Sequence, residues 1–140
     1  MPKLTLEESL VKNGFLTYRI RGVSMQPMLR QGRDLFTVVP KGSERCKKYD
    51  VVLYRRPSDP YVLHRIIEVR PDSYVILGDN CIAKEYGIRD EDILGVLTSF
   101  QHNGHTISVS DWGYRLYSRG WVFFQPVRIF YKRVKGKLHR

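Results

Sequence analysis

From Phe15 to Arg21 the chain alternates in character. Leu16, Tyr18 and Ile20 fall on one side of an extended segment, and Phe15, Thr17, Arg19 and Arg21 on the other. Such a period of two predicts a strand. Short apolar-rich runs recur at 34–39, 50–55, 61–70, 74–77, 93–100 and 106–110. Turn-forming clusters punctuate them: Pro40-Lys41-Gly42, Pro57-Ser58-Asp59-Pro60, Pro71-Asp72-Ser73 and His102-Asn103-Gly104. The turns at 71–73 and 102–104 predict hairpins. Residues 41–48 read as a loop and 79–91 as a polar excursion. Six or seven short strands at this spacing predict a mainly β, closed or partly closed domain.

The ends read differently. Thr5 to Lys12 predicts a short helix, with Thr5 as N-cap, Glu8 completing a capping box and Asn13-Gly14 ending it. Beyond Trp112, Leu116, Phe123, Val127, Phe130, Val134 and Leu138 recur at helical steps, with Arg115, Arg119, Arg128, Lys132, Arg133 and Lys135 mostly between them. This predicts an amphipathic helical tail. Pro126 interrupts it and disfavours α geometry at Gln125, so two helices are expected, about 112–119 and 126–137. The division is thus a β domain over 1–110 and a tail over 111–140.

Charge sharpens that division. Residues 1–110 hold 16 basic and 13 acidic side chains, a net of +3, whereas residues 111–140 hold eight basic and one acidic, a net of +7. A basic, aromatic tail suits an anionic membrane surface, and its Trp112, Trp121, Phe123, Phe124, Phe130 and Tyr131 suit the interfacial region. The duller alternative is that the stripe covers an open face of the β domain. Basic and aromatic residues also interleave as in nucleic-acid binders, but no recognition motif accompanies them and no specific nucleic acid is expected. No apolar run is long enough to span a bilayer, and Met1 to Asn13 lacks the apolar core of a secretion signal. The expected location is cytoplasmic, with the tail at the inner face of the membrane. Cys46 and Cys81 are expected as free thiols, and no metal or other cofactor is expected.

The chemistry lies in the β domain. Ser24 sits at the end of the first alternating run, in Gly22-Val23-Ser24-Met25-Gln26-Pro27. A serine hydroxyl becomes a nucleophile only beside a base and with donors for the oxyanion. Gly22 removes side-chain bulk, Pro27 directs the outgoing chain, and the flanking N–H groups are candidate donors. His64 interrupts an apolar run and shares one face with Ile66 and Glu68, while Leu63, Arg65 and Ile67 share the other. A neutral imidazole suits a general base. His102, His105 and His139 have no expected role.

Together these residues resemble the signal-peptidase family of serine peptidases, in its histidine-base branch of archaeal and eukaryotic type. Ser24 to Pro27 resembles its Ser-Met-x-Pro nucleophile motif, His64-Arg65 its base position and Gly78-Asp79-Asn80 its glycine-aspartate-asparagine motif. Asp50-Val51-Val52 resembles a strand that follows a glycine-aspartate turn there, with Tyr49 where glycine is common, and Ile93-Leu94-Gly95 resembles a late strand. The likeness covers about residues 15–98. It implies a partly closed β fold shared with the self-cleaving LexA-type peptidases. Those use a lysine base, and the one lysine near the site, Lys84, lies in the excursion. It also implies a third catalytic group, an acid a few positions after the Gly-Asp-Asn motif, a place that falls on Glu85, with Asp90 and Asp92 further off; Glu85, and Asp79 within the motif itself, are the expected orienters of His64. Where the family often supplies a hydroxyl two residues before the nucleophile, this chain has Gly22.

The expected function is a serine endopeptidase with catalytic Ser24, His64, Glu85 and Asp79. It would process a signal- or leader-type peptide held as an added strand along Gly22, Val23, Met25 and Pro27. Small residues before the cut are implied by the resemblance alone. The alternative is a peptide-binding module of the same fold without turnover.

Overall fold

A computed structural model describes residues 5–56 and 61–138. The turn expected at Pro57-Ser58-Asp59-Pro60, His139 and the Leu138 side chain lie outside the described residues. Helix α1 (Leu6–Asn13) begins where Thr5 accepts the Glu8 N–H at 3.1 Å. It stops at Gly14, whose φ of 76° closes the last turn. Leu10 carries the helix into the core.

Eight strands follow: β1 (Leu16–Arg19), β2 (Leu35–Pro40), β3 (Val51–Tyr54), β4 (Val62–Val69), β5 (Tyr74–Leu77), β6 (Glu85–Ile88), β7 (Ile93–His102) and β8 (His105–Ser108). They form one sheet in the order β1-β2-β7-β3-β4-β5-β6, antiparallel throughout, with β8 on β7. The start of β7 pairs with β3 and its end with β8. Asn103 and Gly104, with φ of 51° and 81°, make the tight turn that lets β7 run to His102.

Strands β3 and β5 are buried on both faces, which is why they read as continuous apolar runs. Val51, Leu53 and Leu63 pack with Leu10, Leu16, Met25 and Leu29 on one side. Val52, Tyr54, Val62, Ile66 and Ile76 form a second cluster on the other. The period of two therefore sends His64 toward the Tyr54 side and Arg65 toward the Leu63 side.

Three elements differ from expectation. The excursion contains β6, an edge strand that pairs with β5 through Tyr74↔Ile88 and Ile76↔Glu85. Its segment Glu85-Tyr86-Gly87-Ile88 has no clean alternation, because it is half solvated. The free edge of β5, rather than an apolar pattern, selects it. In the tail, α2 (Trp112–Phe123) and α3 (Gln125–Leu138) both run longer than expected and meet at Phe124. Pro126 falls in the first turn of α3, where its missing N–H leaves no helical bond unmade.

The tail helices turn an unexpected face inward. Tyr114 joins the first apolar cluster, and Ser118 and Gln125 are buried. The stripe that marked the helices in sequence faces solvent: Leu116 is 61% exposed, Phe123 77%, Val127 63% and Phe130 70%. Among the described residues no helix is long and apolar enough to cross a membrane.

Candidate active site

Ser24 opens a turn anchored from below. Met25 and Leu29 are fully buried, and Met28 nearly so. Gln26 donates its N–H to Val23 at 3.2 Å, and Leu29 donates to Met25 at 3.0 Å. Gly22 precedes them with a φ of 71°, a conformation that favours glycine. Val23 and Pro27 lie on the exposed side and Ser24 is half-buried. Asp34 closes the loop, accepting the Arg30 N–H at 2.8 Å, the Asn103 N–H at 2.9 Å and the Arg33 guanidinium at 2.8 Å. Burial works against its charge, but these bonds win and hold its carboxyl down at about 2.

His64 reaches the site from β4 and is only 6% exposed. Burial pushes its imidazole down to about 4, against the opposing pull of Glu85. The ring is therefore neutral across the ordinary pH range. Its Nδ1 lies 3.1 Å from the Tyr54 hydroxyl, which donates to Glu85 Oε1 at 2.6 Å. The direct distance from Nδ1 to Oε1 is 3.6 Å, and the Arg56 guanidinium holds the same oxygen at 3.0 Å. Burial, reinforced by Glu85, raises the Tyr54 phenol well above its ordinary value, so it keeps its proton.

These parts converge on Gly78, just past the Arg65↔Leu77 pair of β4 and β5. A side-chain carbon there would stand 2.8 Å from the Ser24 carbonyl oxygen, 2.9 Å from His64 Nε2 and 2.7 Å from Cys81 Sγ. Only the absence of a side chain lets the serine segment and the imidazole approach one another. Asn80 then ties the turn to the serine segment, donating from its backbone to Ser24 at 2.8 Å and from its side chain to Val23 at 3.0 Å. Among the described residues Ser24 Oγ makes no hydrogen bond, to His64 or to any other group.

The two acids expected beside His64 have separate surroundings. Glu85 reaches Nδ1 through Tyr54. Asp79 accepts from both sides of the Arg65 guanidinium, at 2.8 and 2.9 Å, and from the Tyr117 hydroxyl at 2.8 Å. Arg65, fully buried, also donates to the Tyr49 carbonyl at 2.9 Å and the Tyr114 hydroxyl at 3.0 Å. Tyr49 has a φ of 83°. Glycine reaches that left-handed region at no steric cost.

Sequence reasoning missed five residues around the site. Tyr54 ends an apolar run, and its nearness to His64 follows only from the pairing of β3 with β4. Arg65 gave no signal beyond its neighbour. Tyr117, Trp121 and Lys132 come from the tail: Trp121 donates its ring N–H to the Asp79 carbonyl at 2.9 Å, and Lys132 binds Asn80. Cys46 and Cys81 are free thiols, and burial raises both, Cys46 to about 11. Among the described residues no three or more His, Cys, Asp or Glu side chains gather as metal ligands.

The chain is 38% identical over 61 residues to signal peptidase I V of Bacillus subtilis (strain 168). The aligned stretch is 41% of this chain and 35% of that protein, so the chain spans about a third of the length of this curated relative. No family model matches the chain, and no solved structure does.

Proposed function

We propose that this chain is a signal-peptidase-like serine endopeptidase with Ser24 as nucleophile and His64 as base, the histidine-base arrangement. The observation that carries the proposal is the meeting of the Ser24 segment and His64 Nε2 at Gly78. The partial likeness to a signal peptidase supports it. His64 takes the Ser24 proton on Nε2 as Oγ attacks the scissile carbonyl carbon. The tetrahedral intermediate collapses, the C–N bond breaks, and Nε2 returns the proton to the leaving amine. Water, activated by the same nitrogen, then hydrolyses the acyl-enzyme. The N–H groups of Ser24 and Met25 donate to no other group among the described residues, and they serve the oxyanion. Glu85 supports His64 from the far side, whereas Asp79 acts at one remove, by holding Arg65 and the turn that bears Asn80.

The substrate is an extended peptide of signal or leader type. Strand β1 lies at the edge of the sheet and leads directly to Ser24, which supports binding as an added strand. Gly22, Val23 and Pro27 line that approach; Met25, fully buried, supports the turn from beneath.

The tail extends this reading to an anionic membrane. Trp112, Phe123, Phe124, Phe130 and Tyr131 are exposed beside Arg115, Arg119, Arg133 and Lys135. Aromatic rings at the headgroup level and cations against anionic lipid make a peripheral contact at the inner face of the membrane.

The deciding experiment compares protein N-termini in cells carrying wild-type chain and Ser24→Ala. Termini that vanish with the alanine establish a peptidase and its cleavage rule. Equal termini, with both proteins folded and peptide still bound, favour a binding module of the same fold.

A further inference from the structure

We propose that Tyr54 is a positioning residue whose hydroxyl links Glu85 to His64 and fixes the imidazole in the tautomer protonated on Nδ1, leaving Nε2 bare toward Ser24. The role in catalysis rests on reading Ser24 and His64 as nucleophile and base; the tautomer itself is a property of the resting chain.

The tautomer follows from counting protons. A phenol has one proton to give and lone pairs to receive. Glu85, a carboxylate against the Arg56 guanidinium at 3.0 Å, accepts only. The contact from the Tyr54 hydroxyl to Glu85 is 2.6 Å, the length of a charge-assisted bond, so the Tyr54 proton lies there. The Tyr54 oxygen then offers Nδ1 only a lone pair, at 3.1 Å. Nδ1 must therefore carry hydrogen. A neutral imidazole has one N–H, so Nε2, the nitrogen that faces Gly78, is left as a base.

The direct route is too long to do this. Glu85 Oε1 stands 3.6 Å from Nδ1, outside hydrogen-bond length, and Tyr54 closes the gap. The link is also rigid. Val52 pairs with His64 and Tyr54 with Val62, so tyrosine and histidine are diagonal neighbours on adjacent strands, and Tyr54 is fully buried. During turnover the Ser24 proton enters at Nε2 and leaves from it. Nδ1 keeps its own proton throughout, shared with Tyr54, and the negative charge of Glu85 is felt through the phenol.

The test is nitrogen NMR of the full chain labelled on histidine, near neutral pH, for wild type, Tyr54→Phe and Glu85→Leu. Wild type should show His64 protonated on Nδ1 and bare on Nε2. Tyr54→Phe, which removes one oxygen, should release the ring to the opposite tautomer or a mixture. Glu85→Leu should free the Tyr54 proton to turn toward Nδ1, which flips His64 to the Nε2–H form. With a cleavable peptide, Tyr54→Phe should lower kcat/KM roughly 100-fold with KM little changed. His64 protonated on Nε2 in wild type, or an Nδ1–H signal unmoved in both variants, overturns the inference. The expected tautomers in a chain that cleaves no peptide would leave the Tyr54 link standing and remove the peptidase reading. Unchanged tautomer and turnover in Tyr54→Phe would do the reverse.

Discussion

Lys132, on the last helix, donates from its ammonium to the Asn80 carbonyl at 2.6 Å and to the Asn80 side-chain oxygen at 2.5 Å. This contact decides which way the Asn80 amide points, because the oxygen is taken by Lys132 and the nitrogen is left to donate to Val23. The tail thus shapes the serine segment through one asparagine. Replacing Lys132 with methionine should cost about 1.5 kcal/mol of stability, the low end for a charge-assisted bond at a half-exposed site. It should also lower kcat/KM roughly tenfold, the rate equivalent of about 1.4 kcal/mol. Urea unfolding and a peptide-cleavage assay on the same preparation check both.

The Arg65–Asp79 pair should be the most costly polar contact to break. Both side chains are almost wholly buried, at 1% exposure each, so removing one strands the other charge. Asp79→Ala should destabilise the chain by about 3–5 kcal/mol. Glu85→Ala, at a half-exposed position, should cost far less stability and more turnover. Denaturant midpoints and kcat/KM for the two variants, compared side by side, would separate the two acids. Equal stability losses would contradict the distinction.

Gly78→Ala should disable the site. The added carbon would meet the Ser24 carbonyl at 2.8 Å and His64 Nε2 at 2.9 Å, closer than real side-chain carbons approach such atoms. Relief requires the serine turn or the imidazole to move. A loss of about 1–3 kcal/mol in stability is expected, as for other overpacked positions. Turnover should fall beyond what the stability loss explains, and assays well below the melting temperature would show it.

His64 should give stability a distinct pH dependence. Its folded value, about 4, lies below the ordinary 6.5, so between these values the unfolded chain binds a proton that the folded chain refuses. Stability therefore rises with pH from about 4 to about 6.5 and is fully present above that window. The contribution is on the order of 3 kcal/mol. Urea midpoints for wild type and His64→Gln across this range measure it, since the variant should lose this part of the slope. By the same shift, the acid limb of kcat/KM should be centred at about 4, well under the usual histidine value.

The exposed tail aromatics should govern attachment to lipid and leave the fold alone. Phe123→Ser with Phe130→Ser removes two side chains that are 77% and 70% exposed. Co-sedimentation with vesicles rich in anionic lipid should drop several-fold, while the melting temperature stays within a degree or two. Wild-type binding should weaken as salt is raised. Absence of salt-sensitive binding by wild type would count against a membrane contact.

Much of the fold was legible because its strands are short apolar-rich runs bounded by strong turn residues. The hairpin at Asn103-Gly104 and the capped helix after Thr5 carry their signals within a few residues. Strand β6 was not legible, since its partner, the free edge of β5, lies elsewhere in the chain. The tail misled in an instructive way. Its helical periodicity was real, but the apolar stripe that revealed it faces outward, and Tyr114, Tyr117 and Trp121 turn toward the β strands because each finds a polar partner there, while Ser118, buried beside them, bonds back to the Arg115 carbonyl of its own helix.

By itself the sequence determined the mainly β architecture, the paired tail helices and the residues on which the proposed serine–histidine site rests. These follow from local periodicity, turn chemistry and short motifs, which depend on neighbours a few positions apart. Only the tertiary structure decided that Tyr54 stands between His64 and Glu85, that Asp79 belongs to Arg65, and that Lys132 orients Asn80. Each of those contacts joins residues on separate elements. Strand register and helix docking are fixed by the packing of the whole core, and no short stretch of the chain encodes them.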